Sequence, residues 1–337
     1  MSNRLIDIDI AKGICIVLVV TGHYLPANAP EWYITMIDVI YKFHMPLFMY
    51  ASGLVYHATK KPVPCKRFVW KKFQRLGIPY ILVSLLIICI KLLSEEKTHL
   101  AHPVSLASFY EILYLPSAGF FLWFVYVLFL IFLIIPFFDT PRKINFLLAL
   151  SLTALIIPIQ TTDLFCLAQF KSNLFYFVAG CFVSQYQRFI RQKTAHISVF
   201  LPLLCFVGLY LIARVYAHLP LVINCLNVCL ALTGIGVTLK ISRLIEMKIL
   251  KLQPVFLKLA LYSYTIYLFH TSFQGIAKAF FLKYPLPECL DNHISAVIMI
   301  LMAVSAGLVG PILLHVGHDL FINLKRLPGN KPPVEGR

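Results

Sequence analysis

From Ala118 to Phe138 the chain passes through twenty-one residues without a single charge. A helix of that length is about 31 Å long, close to the thickness of a bilayer's hydrocarbon core. The run is one of several: Ile78–Ile90 and Phe200–Ala213 are also free of charge. A membrane strand barrel would show short segments of alternating polarity, whereas these runs are continuous, so helices are required. Hydrophobic residues make up 60% of the sequence and charged residues 13%, and the mean hydropathy is +0.82. Soluble domains sit near roughly 45–50% and 25%. The chain reads as an all-α, polytopic membrane protein.

Hydropathy places ten spans, at about 10–25, 40–57, 77–93, 118–138, 144–159, 173–186, 197–216, 220–239, 259–277 and 293–316. Pro26 and Pro30 end the first, and 27–38 reads as a connector. The most basic stretch holds Lys60, Lys61, Lys66, Arg67, Lys71, Lys72 and Arg75 with no acid among them, which puts it on the cytoplasmic side. Counting crossings from there predicts one bundle of about ten transmembrane helices with both termini cytoplasmic. It fills residues 1–325, and 326–337 form a disordered cytoplasmic tail. The first helix reads as retained, because Tyr24-Leu25-Pro26 stands where a signal peptide would carry small residues. The net charge of +16 is spread over the connectors without an aromatic-interleaved basic motif, which argues against nucleic acid. Nine cysteines follow no metal or redox spacing, and neither a disulfide nor a metal is expected.

Lys12 and His23 are the polar residues of consequence in the first run. Eleven residues make almost a whole number of turns, so the two share a helix face about 16 Å apart. Each costs several kcal/mol in a membrane unless it is paired or wet. A snorkelling lysine and a hydrogen-bonded histidine would also account for them. Counted from the cytoplasmic ends of their helices, His23, His44 and His270 fall at nearly the same depth; three unrelated interfacial histidines are the alternative. Lys71, Lys72 and Arg75 suit the phosphates of a nucleotide and equally an anionic lipid surface. Neither a phosphate-binding glycine loop nor a G-x-S-x-G elbow occurs. Ser52-Gly53 is more naturally a close-packing pair than a nucleophile.

Taken together, Arg4…Asp9-x-x-Lys12-x10-His23, Phe43-His44-Met45-Pro46…Ser52-Gly53, Lys71-Lys72-Phe-Gln-Arg75…Pro79, Leu122-Trp123-Phe124 and Tyr262-Ser263-Tyr264…His270 resemble, in order, the motifs of the integral-membrane acyltransferase 3 family. His-Met-Pro is similar to its fucose 4-O-acetylase-like branch. The resemblance implies an O-acyltransferase, most simply an O-acetyltransferase. Acetyl-CoA or another acyl-CoA would be the donor, and a hydroxyl of a cell-envelope glycan or glycolipid the acceptor. His23 would be the general base or a transient acyl carrier, with Lys12 below it. Lys71, Lys72, Arg75 and Ser52 would face the donor, and His44, His270, Tyr264 and Trp123 the acceptor. Lys12 stands where many members carry arginine, as do the two lysines of the basic motif, and lysine binds phosphate as a point charge rather than bidentately. The implied setting is a plasma membrane of the bacterial inner-membrane type, with membrane lipids as surroundings. A multi-spanning transporter is the competing class, although no carboxylate lies in a helix centre to couple protons. A receptor or scaffold would need no Lys12–His23 face. The oligomeric state is not legible.

Overall fold

The computed structural model describes residues 5–26, 29–94, 104–284 and 292–325, all of it helix and connecting loop. The expected tail at 326–337 lies outside the described residues. In order the helices are α1 (Ile6–Gly22), α2 (Glu31–Tyr41), α3 (His44–Ala58), α4 (Cys65–Lys72), α5 (Ile78–Ser94), α6 (Ser108–Glu111), α7 (Trp123–Ile134), α8 (Pro141–Ile156), α9 (Leu167–Gln185), α10 (Gln187–Ala195), α11 (Phe200–Val215), α12 (Pro220–Lys248), α13 (Gln253–Lys283) and α14 (Asn292–Lys325). Prolines open rather than break several of them. Pro141 and Pro220 occupy first-turn positions, where no amide is needed. The Pro30 carbonyl accepts from the amides of Tyr33 and Ile34. That converts the expected connector at 27–38 into the start of α2.

The count of ten crossings is corrected. Among the described residues five helices are long and apolar enough to cross a membrane: Cys65–Leu93, Phe120–Phe137, Leu164–Gln185, Pro220–Lys248 and His293–Asp319. The bent pair α10–α11, if it makes one span, brings the number to six. The reason is length. α1 has 17 residues, α3 has 15, α8 has 16 and α11 has 16, against about 20 for a full hydrocarbon core. α13 is long but carries Lys258, His270 and Gln274 and is not among the five. With the count falls the parity argument that put both termini on one side. The protein is an all-α, polytopic membrane protein with five or six candidate transmembrane helices among the described residues.

The chain divides into two compact units, 1–11 with 41–250 and 12–40 with 251–337. In the first, α3 and α9 cross so closely that glycine is required on both. A Cβ on Gly53 would enter the Phe177 carbonyl, and one on Gly180 the Tyr50 carbonyl. The Cys181 thiol donates to the Gly53 oxygen at 3.3 Å, tying the same crossing. Small residues that let backbones meet are the usual currency of helix association in membranes. At the start of α1, buried Asp7 receives Arg243 of α12 at 3.3 Å, and Arg191 of α10 lies 3.9 Å away. Tyr80 and Tyr126 pin the segment after α6, donating to the carbonyls of Ile112 (2.8 Å) and Leu113 (2.9 Å).

The second unit is built from α1 beyond Ala11, α2, α13 and α14. Its core includes Tyr24, Tyr33, Ile300 and Ala303, with Met36, Ile37 and Met299 packed around them.

Candidate functional site

His23 is the first residue past the last helical position of α1, where carbonyls lack intrahelical partners. The fully buried Tyr33 reaches this end from α2. Its hydroxyl lies 3.0 Å from the Thr21 carbonyl and 2.9 Å from that of Tyr24, and donates into the pair. The His23 ring then folds back on its own helix, with Nδ1 2.8 Å from the Val19 carbonyl. A carbonyl only accepts, so Nδ1 carries the proton and the neutral ring keeps its lone pair on Nε2.

His270 repeats the arrangement on α13. It is fully buried, and its Nδ1 donates to the carbonyls of Tyr267 (2.8 Å) and Ile266 (3.1 Å). The two imidazoles meet edge to face, with centroids 5.0 Å apart and planes at 87°. The second unit thus brings together two histidines, each fixed through Nδ1 to backbone carbonyl. A neutral imidazole held this way can take a proton or a carbonyl carbon at Nε2.

Lys12 lies on α1 in the same unit, half-buried. Tyr264 precedes His270 by six residues, about 240° around the helix, and so sits on a different face. Gln274 gave no sequence signal beyond standing one turn after His270. It is buried, and its Nε2 donates to the Val20 carbonyl at 2.7 Å, bracing the turn of α1 that leads to His23. Its Oε1 has no hydrogen-bond partner among the described residues.

The remaining predicted positions belong to the first unit. His44 opens α3, is fully buried and meets the Tyr41 ring edge to face at 5.0 Å. Ser52 is half-buried beside Gly53, at the α3–α9 crossing. Trp123 opens α7 with its edge to Phe124. Lys71, Lys72 and Arg75 lie on one continuous helix, because a single π-helical turn, Phe73–Gly77, joins α4 to α5. Lys71 and Arg75 are exposed. Lys72 instead places its ammonium 3.7 Å from the Phe132 ring centroid and 5.4 Å from that of Phe68, in an aromatic cluster completed by Tyr56 and Phe177. The three cations are therefore not equivalent. Among the described residues no group of three or more His, Cys, Asp or Glu is placed to hold a metal.

The Tyr33 contact predicts its own test. Tyr33→Phe keeps the buried ring and removes one donor from two carbonyls. It should cost about 1–2 kcal/mol of stability and let the end of α1 fray around His23. A melting temperature of the purified variant unchanged from wild type would show that the hydroxyl does not hold the end of α1.

Over 96 residues the chain is 38% identical to nodulation protein NolL of Sinorhizobium fredii (strain NBRC 101917 / NGR234), covering 27% of this chain and 26% of that protein. The match thus spans about a quarter of the relative's length. No solved structure matches. A family model described as an acyltransferase domain matches residues 5–316, nearly the whole chain; the protein belongs to the acyltransferase 3 family.

Proposed function

We propose that this membrane-embedded acyltransferase-family protein is an O-acetyltransferase that moves an acetyl group from acetyl-CoA to a hydroxyl of an envelope glycan or glycolipid. The observation that carries the reading is the His23–His270 pair, two imidazoles that meet edge to face, each with Nδ1 held by backbone carbonyl. His23 Nε2 takes the proton of the acceptor hydroxyl as its oxygen attacks the thioester carbonyl. The C–S bond breaks, the ester forms, and the departing CoA thiolate takes up a proton. His270 holds the His23 ring, and Gln274 Oε1 accepts from a second hydroxyl or a water. The donor's phosphates fall to Lys71 and Arg75, with Lys72 supporting them from its aromatic seat. His44 and Trp123 are assigned to the acceptor.

The basic segment 60–75 lies on the cytoplasmic side in this reading, where CoA is found, and the membrane is a bacterial inner membrane. The His44-Met45-Pro46 motif supports a sugar hydroxyl of the fucose 4-O-acetylase-like branch as the acceptor class.

Mass spectrometry of envelope glycans from cells with and without the gene tests the reaction. The expected result is one acetyl mass lost from a glycan in the deletion and restored by the wild-type gene. Identical glycan profiles would overturn it. Purified protein with acetyl-CoA alone separates the chemistry: an acetylated His23 peptide would replace direct transfer by an acyl-histidine.

A further inference from the structure

Helix α10, Gln187–Ala195, carries Arg188, Arg191 and Lys193 in nine residues and no acid. Three cations in that length do not belong in hydrocarbon. The geometry agrees. α10 turns 93° from the apolar helix α11 that follows it, so if α11 stands along the membrane normal, α10 lies in the plane of the surface.

Its two faces differ. At about 100° per residue, Gln187, Ile190 and Thr194 share one side, and these three are partly buried. Arg188, Phe189, Gln192 and Lys193 occupy the opposite side and are exposed, Phe189 to 60%. The inner side is fastened to the protein. Arg191 lies 3.9 Å from Asp7 and 4.0 Å from Glu246, and the Lys240 ammonium donates to the Thr194 carbonyl at the helix's C-terminal end. Arg191 is thus engaged inward. The outer face has an aromatic ring flanked by Arg188 and Lys193, for which no ion pair is found among the described residues, with the Lys193 ammonium 5.9 Å from the centre of the Phe189 ring.

From this arrangement we infer that α10 is an in-plane helix whose outer face binds the anionic headgroups of the bilayer. Phe189 enters the headgroup–acyl boundary while Arg188 and Lys193 take lipid phosphates. An aromatic wedge between cations is the composition that interfacial helices use. Fixed beneath by Asp7, Glu246 and Lys240, the helix presents that face as a preformed surface. The inference is independent of the proposed acetyl transfer.

The full-length protein in nanodiscs of phosphatidylcholine, with and without one quarter phosphatidylglycerol, tests it by hydrogen exchange of the 187–195 amides. Exchange should be roughly tenfold slower in the anionic discs, and Arg188→Gln/Lys193→Gln should exchange alike in both. Equal wild-type rates in the two discs would overturn the inference without involving the variant. So would an anionic-disc effect that survives in the variant. Inorganic phosphate reproducing the effect in neutral discs would overturn it in favour of a free-anion site.

Discussion

His23→Gln should yield a folded, membrane-inserted protein whose acyl transfer is lower by about 10²–10⁴, the usual worth of a positioned proton transfer. Glutamine can still donate to the Val19 carbonyl that holds Nδ1, so the anchor at the end of α1 survives. What it lacks is a basic nitrogen at the position of Nε2. His23→Ala should lose as much activity and also the edge contact with His270, which will show as lower thermal stability. A histidine that served packing would give the opposite pattern, with glutamine near wild type and alanine failing through protein level alone. The measurement is CoA released from acetyl-CoA, with extracted envelope as acceptor, per mole of folded protein. Near-wild-type turnover in His23→Gln would remove His23 from the chemistry and leave His270 as the candidate base.

Arg75→Ala should weaken CoA binding by roughly 10- to 100-fold, the worth of a charge-assisted contact. Lys71→Ala, also at an exposed cation, should act in the same direction. Both effects should shrink as salt is raised, since exposed charges are screened. Lys72→Ala will differ in kind. It empties the cation's place over Phe132 and Phe68, so melting temperature and donor affinity should fall together. Calorimetric titration of CoA into detergent-purified variants checks all three. Unchanged affinity in Lys71→Ala/Arg75→Ala would assign these charges to the lipid surface and leave the donor without its proposed partners.

The sequence carried the class and the family because both are written in short range. Uncharged runs dictate helices, and each motif is a local string. The crossing number was not written that way. Hydropathy averages over a window and does not register that α3 starts only at His44 or that α8 stops at Ile156. The His23–His270 contact joins α1 to α13, and no periodicity links positions so distant. Equal depth along separate helices was as near as counting could come. Lys72 shows the same limit. Its neighbours Lys71 and Arg75 are adjacent in the string, but its fate is set by Phe132 of another helix. Gln274 looked like one more polar residue on a mixed helix until its amide met the Val20 carbonyl.

The π-turn at Phe73–Gly77 has a bearing on how such chains diverge. Its hydrogen bonds close over five residues where an α-turn closes over four, so it stores one surplus residue inside an unbroken helix. Remove that residue and α4 runs straight into α5 as ordinary α-helix, with nothing unfolded. Lys71 and Lys72 would keep nearly the bearing they now have relative to the exposed stripe Leu82, Leu86, Ile90 and Leu93, because the wider turn holds its extra residue by rotating less at each step. A deletion of three nucleotides at this turn would thus be absorbed in place, whereas the same deletion farther along α5 would swing the cationic end by about 100°, and a comparison made letter by letter would register the same gap for both.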